Sequence, residues 1–258
     1  MTTLDFFRHD GFDLGYLDRQ PASGQGDPVL MIHGFASSHY VNWVAPGWFK
    51  TLNEAGYRAI ALDNRGHGVS SKSYEGADYT PAKMASDAAA LLDHLGIERA
   101  HVMGYSMGAR VSSFLALSDP DKVATLVLGG LGIGLVDGVG DWDPIADALL
   151  AEDAAAVTHA RGKTFRAFAD QTRSDKRALA ACIIGSRDEL PEDRVAMIAQ
   201  PTLIAVGTRD DIAGSPDDLA ALMPNAVAFH IEGRDHMLSV GDRTFKQRVL
   251  EFYQEHPL

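Results

Sequence analysis

The chain contains a single cysteine, Cys182, so no intramolecular disulfide can form and the fold must be held by an apolar core. Basic charge is also scarce: Lys plus Arg total 23 against 35 Asp plus Glu, a formal charge of −12. A chain this acidic offers no general field for phosphate backbones or anionic lipid, which argues against nucleic-acid binding by bulk charge. Long hydrophobic runs are missing as well. The most apolar stretch, Val123 to Val136, is shorter than a membrane span and is broken by Gly129, Gly130, Gly132 and Gly134, so no membrane insertion is expected. There is no Asn-x-Ser/Thr acceptor, and Met1 to Arg8 carry no basic segment followed by an apolar one. These absences lead to the expectation of a cytoplasmic enzyme. His-Glu-x-x-His and Gly-x-Gly-x-x-Gly do not occur either. Arg161-Gly162-Lys163-Thr164 imitates the end of a phosphate loop, but Val157 stands where the first glycine is required. Neither a metal nor a nucleotide cofactor is implied.

What is present is an ordinary globular composition, 46% apolar and 22% charged over 258 residues. At about 150 residues per domain the length suggests ~1.7 domains, yet one α/β domain can reach ~250 residues. Leu4–Arg8 and Phe12–Leu17 read as a hairpin with a turn glycine in His9-Asp10-Gly11. Val29–Ile32, Tyr57–Leu62, His101–Tyr105, Val123–Leu128, Thr202–Val206 and Ala226–Ile231 are apolar runs suited to strands buried on both faces. Helical patterns lie between them. The clearest, Pro81–Leu95, has Thr80 as N-cap, proline at its first position and Gly96 as its stop. Strand and helix alternating at this spacing predict a mainly parallel sheet with helices on both faces.

The rhythm breaks once. Between Leu128 and Pro201 there are only helix-like stretches, near Pro144–Ala156, Phe165–Thr172 and Lys176–Ile184. An insertion of about 70 residues with its own helices is expected to be a lid rather than a structureless loop. The expected organisation is one domain, with a core of residues 1–128 and 201–258 and a helical cap of about 129–200.

The strongest local signal is Gly104-Tyr105-Ser106-Met107-Gly108, which follows an apolar strand and opens the helical segment Ala109–Leu117. A Gly-x-Ser-x-Gly in this strand–turn–helix context is a nucleophile elbow: a sharp turn holds the serine in an unfavourable backbone conformation, and small residues two positions away let strand and helix approach. The pentapeptide alone is weak, because glycine and serine are common here. Four further segments accompany it in order: His33-Gly34-Phe35, Asp63-Asn64-Arg65-Gly66-His67-Gly68-Val69-Ser70, Pro201 to Asp210, and Glu232-Gly233-Arg234-Asp235-His236. With these five the chain resembles the α/β-hydrolase superfamily, in its small capped esterase, lactonase and haloperoxidase-like branch. The resemblance spans nearly the whole chain. It implies an α/β-hydrolase fold with a mainly parallel eight-stranded sheet and a small helical cap after strand 6.

A serine hydroxyl is a poor nucleophile until a base removes its proton, and the base needs a carboxylate to fix its tautomer. The chain order Ser106, Asp210, His236 fits these roles in this fold. The oxyanion that forms on the carbonyl needs N–H donors, and the resemblance implies the backbone amides of Met107 and Phe35. The acid is the least settled position. The Gly207-x-x-Asp210 spacing favours Asp210, with Asp211 next; Asp137 and Asp141 lie after the sixth strand, where some hydrolases carry this residue. Asp235, beside the histidine, is expected to be structural. Of the ten histidines, His236 is the candidate base, while His33 and His67 are expected to organise loops. His9, His39, His94, His101, His159, His230 and His256 show no partner logic and are expected to be structural or solvated.

Arg161, Lys163, Arg166, Arg173, Lys176 and Arg177 form a local basic stretch in the cap. A solvated helix surface accounts for it; the alternative is that one or two of them face the pocket and bind a substrate carboxylate. The functional expectation is a cofactor-independent serine hydrolase of a small-molecule carboxylic ester. Lactonase, thioesterase, C–C hydrolase and cofactor-free perhydrolase activities share its machinery. Haloalkane dehalogenases and epoxide hydrolases are disfavoured, since those family members use an aspartate where this chain has Ser106. A ligand-binding receptor that keeps the fold without turnover is the alternative from another class.

Overall fold

The computed structural model describes residues 4–258; Met1 to Thr3, part of the segment searched above for a leader, lie outside the described residues. Strands β1 (Asp5–His9) and β2 (Phe12–Arg19) form the expected hairpin. Its two-residue turn has Asp10 at φ 47° and Gly11 at φ 82°, the left-handed pair that matches the right-handed twist of a tight hairpin. The remaining strands are β3 (Pro28–Ile32), β4 (Arg58–Leu62), β5 (Ala100–Tyr105), β6 (Val123–Gly129), β7 (Thr202–Gly207) and β8 (Ala226–Ile231). They form one eight-stranded sheet in the order β1-β2-β4-β3-β5-β6-β7-β8, antiparallel at β1-β2 and β2-β4 and parallel elsewhere.

Two apolar layers sandwich the sheet because side chains alternate along each strand. Leu30 and Ile32 of β3 point into one layer and Val29 and Met31 into the other, and β6 divides Leu126 and Leu128 from Val127 in the same way. Helices α1 (Trp48–Glu54) and α10 (Arg243–Glu255) cover one face, with Trp48 donating its indole N–H to Val240 O. Helices α2 (Pro81–His94), α3 (Met107–Ser118) and α9 (Pro216–Leu222) cover the other. The α2 N-cap is Thr80, whose side chain accepts from Lys83 N.

Between β6 and β7 the chain builds α4 (Gly134–Asp137), α5 (Asp143–Leu150), α6 (Ala160–Gln171), α7 (Lys176–Gly185) and α8 (Glu192–Val195). Helix α5 is shorter than the expected Pro144–Ala156. Ala151 is already extended (ψ 133°), and Asp153 caps a separate short turn over Ala154–Ala156. Asp175 caps α7 by accepting from Arg177 N and Ala178 N. Among the described residues no helix is long and apolar enough to cross a membrane.

The strand order reverses at β3, so the connections after β3 and β5 leave the sheet side by side at its carboxyl edge. A crevice at such a switch point is where open α/β sheets bind ligands.

Candidate active site

Ser106 sits between β5 and α3 with φ 54° and ψ −114°, a conformation that L-residues avoid. Packing enforces it. A Cβ on Gly104 would lie 2.2 Å from Gly108 O, and one on Gly108 would lie 2.0 Å from Ile32 O. Both glycines of the pentapeptide are thus required by backbone contact, and the turn lifts the Ser106 hydroxyl above the sheet edge.

Asp210 lies three residues past the end of β7, and His236 lies in the loop after β8. Ser106 Oγ is 3.0 Å from His236 Nε2, and His236 Nδ1 is 2.8 Å from Asp210 Oδ2. The Asp210 side chain is fully shielded from solvent. Burial alone would raise its pKa. The hydrogen bond from His236, with those from the N–H groups of Ile212 and Ala213, outweighs burial and holds the carboxyl below its ordinary value. A carboxylate accepting from Nδ1–H leaves Nε2 free to accept the Ser106 proton. Around the histidine, Tyr105 donates its hydroxyl to His236 O at 2.5 Å, and Asp235 Oδ1 accepts from Met237 N and Leu238 N. Asp235 is therefore a turn residue. The other acid candidates lie elsewhere: Asp211 is exposed and offers only its backbone carbonyl, to Arg161, while Asp137 and Asp141 stand exposed at the cavity mouth.

The loop after β3 crosses directly above the serine; a Cβ on Gly34 would meet Tyr105 O at 3.1 Å. It is braced on several sides. Gly34 N donates to Asn42 Oδ1, and His33 Nδ1 donates to Gly34 O while its Nε2 accepts from Asn64 N. These bonds fix His33 as a neutral tautomer, consistent with burial lowering its pKa. Among the described residues, neither Phe35 N nor Met107 N donates to a protein acceptor. Both residues line the cavity with Ser106, so two unused donors border the hydroxyl.

The Asp63 loop supports this arrangement from outside. Burial pushes the Asp63 carboxyl up, yet hydrogen bonds from the His39 side chain and backbone N–H outweigh it and bring its pKa to about 2. His39, read from sequence as partnerless, is thus a buried partner of Asp63. Arg65 is anchored to Asp87 of α2 by paired bonds of 2.7 and 2.6 Å. His67 donates Nδ1–H to Arg65 O, and burial carries its pKa down to about 3.

The cavity above Ser106 has a volume of about 410 Å³. Phe35, Leu131, Trp142, Phe165, Phe168 and Ile183 make it largely apolar, with Phe35 and Phe165 in contact at 5.5 Å between ring centroids. None of the six basic residues of the cap stretch lines it. Arg161, Arg166 and Lys176 are turned onto backbone carbonyls or Asp170, and Arg177 lies over the Tyr74 ring. The cations that do line it are Arg110 and Arg187. Sequence reading missed Arg110, Asn42 and Tyr105. Only Arg110 carried a usable signal: it follows Ser106 by one helical turn and so projects from the same end of α3.

Comparison with known proteins bears on the fold and the family. A family model described as alpha/beta hydrolase fold matches residues 27–169, more than half of the chain. Epoxide hydrolase B of Mycobacterium tuberculosis is 37% identical over 107 residues, covering 42% of this chain and 29% of that protein. The chain spans less than two thirds of the length of the curated relatives it matches. A solved hydrolase from Pseudomonas aeruginosa superposes with a TM-score of 0.80 at 25% identity, covering 96% of this chain and 97% of the other. The esterase EaEST from Exiguobacterium antarcticum also gives 0.80, at 21% identity over 98% of this chain and 100% of its own, a likeness of fold alone. The matched model, the sheet order and the elbow geometry agree, and the chain belongs to the alpha/beta hydrolase fold family.

Proposed function

We propose that the chain is a cofactor-independent serine hydrolase of carboxylic esters. The observation that carries this reading is the continuous hydrogen-bonded row Ser106 Oγ, His236 Nε2, His236 Nδ1, Asp210 Oδ2 at the base of an apolar cavity. Ser106 Oγ attacks the ester carbonyl carbon while its proton passes to His236 Nε2. The carbonyl oxygen becomes an oxyanion and accepts from Phe35 N–H and Met107 N–H. Collapse expels the alcohol, which takes the proton from His236 and leaves an acyl ester on Ser106. Water then gives a proton to His236 and its oxygen attacks that ester; a second collapse restores Ser106 and releases the acid. Asp210 stays ionised throughout and stabilises the imidazolium.

The similarity to proteins named epoxide hydrolases does not transfer their chemistry. A serine that opened an epoxide would form an ether, which water does not cleave under these conditions, whereas acyl transfer forms an ester, which it does. Ser106 therefore favours a carbonyl substrate. A fluorophosphonate probe and a panel of p-nitrophenyl esters, lactones and acyl thioesters test the reading. The expected result is stoichiometric labelling at Ser106 and ester turnover, with Ser106→Ala abolishing the label and lowering kcat by roughly 10⁴-fold on an intact fold. An unlabelled protein without turnover, or a folded Ser106→Ala variant that keeps its rate, would refute it.

A further inference from the structure

Arg110 is the most buried charge facing the cavity, 5% exposed. Its Nη1 donates to Leu135 O and Asp188 O, and its Nη2 donates to Gly134 O. A guanidinium has five N–H groups. Among the described residues the Nε–H and one Nη2–H have no protein acceptor, and Nε is not among the polar atoms sealed inside the protein. Among the described residues no carboxylate lies within ion-pair distance of Arg110. Burial pulls its pKa down, an effect only partly opposed by the charges of Glu189 and Asp188. A desolvated cation with spare donors on a cavity wall is an unfinished contact, since a buried charge is costly until it is paired.

We infer that Arg110 receives a single carboxylate on the acyl part of the substrate, so that the preferred ester is a half-ester of a short dicarboxylic acid. The inference rests on the proposed role of Ser106. Arg110 lies four residues beyond Ser106, about one turn along α3, and both line the same cavity of about 410 Å³, which suits a short spacer between scissile carbonyl and carboxylate. Two spare N–H groups on one planar guanidinium match the two oxygens of a carboxylate. A phosphate dianion would bring a second charge toward the apolar wall, where the described residues offer no second free cation because Arg187 is paired with Asp143. Asp137, Asp141 and Glu189 also line the cavity, but all three are exposed at its mouth, where water screens them. In the interior the Arg110 charge dominates. This places substrate recognition on the core helix rather than on the basic stretch of the cap.

Steady-state kinetics on the purified chain test the inference, with mono-p-nitrophenyl glutarate compared with neutral p-nitrophenyl valerate. The wild type should favour the half-ester in kcat/KM by about tenfold or more, and Arg110→Met should lower that preference by about ten- to a hundredfold, chiefly through KM. Arg110→Lys should recover part of the preference, and Arg173→Gln should leave it unchanged. No preference in the wild type, or equal losses on both esters in Arg110→Met, overturns the inference. Should Arg110→Met fail to fold, the wild type still decides: glutarate should slow fluorophosphonate labelling of Ser106 more than its diamide does, and equal protection counts against a carboxylate site. If neither ester is turned over and the probe does not label, the hydrolase reading itself falls. The thermal midpoint then reads the site alone: a rise with glutarate but not with the diamide supports it, and no rise overturns it.

Discussion

Asp210→Asn isolates one atom of the proposed machinery. In the native site Asp210 Oδ1 accepts from Ile212 N at 2.9 Å and Ala213 N at 3.0 Å, while Oδ2 accepts from His236 Nδ1 at 2.8 Å. An asparagine keeps its oxygen on the two backbone donors, because exchanging oxygen for NH2 there would face donor with donor. Its NH2 group then confronts His236 Nδ1, which must become the acceptor, and the imidazole proton moves to Nε2. In that tautomer Nε2 cannot accept the Ser106 proton across the 3.0 Å contact. The rate should fall by about 10⁴, equivalent to about 5 kcal/mol of transition-state stabilisation. Stability should change far less, since two of the three hydrogen bonds survive unchanged and the third is kept with its direction reversed. The linkage has a definite sign. A carboxyl held below its unfolded pKa stabilises the fold above that value and loses the contribution as pH falls through the folded pKa. The native chain should thus lose more stability than the variant on acidification below about pH 4. Stopped-flow release of p-nitrophenol should show the burst rate and the steady-state rate falling together, with circular dichroism unchanged. Asp211→Asn is the comparison, because the Asp211 side chain is exposed and makes no hydrogen bond among the described residues; its rate should match the native one. A folded Asp210→Asn enzyme within tenfold of native, or an Asp211→Asn enzyme as impaired as Asp210→Asn, would refute the reasoning.

Gly108→Ala should destabilise the chain by about 3 kcal/mol or more and reduce turnover, since its methyl would sit 2.0 Å from Ile32 O and force α3 away from β3. Thermal melting and kcat both at native values would contradict that packing argument. His67, held at about pKa 3 by burial, binds no proton in the fold where the unfolded chain binds one below about pH 6.5. Its contribution to stability is therefore complete above that pH and declines as pH falls toward 3, by about 1.4 kcal/mol per unit. Buried His33 and His101 add slopes of the same sign. His67→Gln should flatten the urea-derived stability slope between pH 6 and 4 by about one proton; an unchanged slope would place the uptake elsewhere.

The parts of the fold that could be read from sequence are those whose side chains meet their environment locally. Val29–Ile32 reads as a doubly buried strand because both faces of β3 are covered, and Thr80 and Pro81 announce α2 because capping is a contact within one turn. The elbow is legible for the same reason: Gly104 and Gly108 flank the residue they constrain. The choice between Asp210 and Asp211 is of a different kind. Spacing favours the first, but what separates them is a turn in which Asp210 takes two backbone N–H groups and points inward while its neighbour faces water. The cap was less readable. Helices α5 and α7 begin near their expected places, but α6 opens at Ala160 rather than Phe165 because His159 caps it, and α5 stops early because Asp153 starts a new turn.

Contacts between distant segments explain what sequence could not give. Nothing near His39 names Asp63 as its partner, and nothing near Tyr105 indicates that its hydroxyl holds the His236 carbonyl. The basic stretch of the cap shows the opposite error, in which local density suggests a site and tertiary contacts dissolve it. Arg166 spends its guanidinium on Ala148 O and Ala151 O, stitching α6 to the end of α5. Arg110 stands alone in sequence and also bonds to carbonyls, but it keeps donors free at the cavity wall. The difference is one of saturation rather than charge. A cation with every donor committed holds the fold together, whereas one with donors left over in a dry cavity can hold a ligand as well. Net charge is no guide here: the whole chain is acidic by 12 units, yet the deepest charge in its cavity is positive.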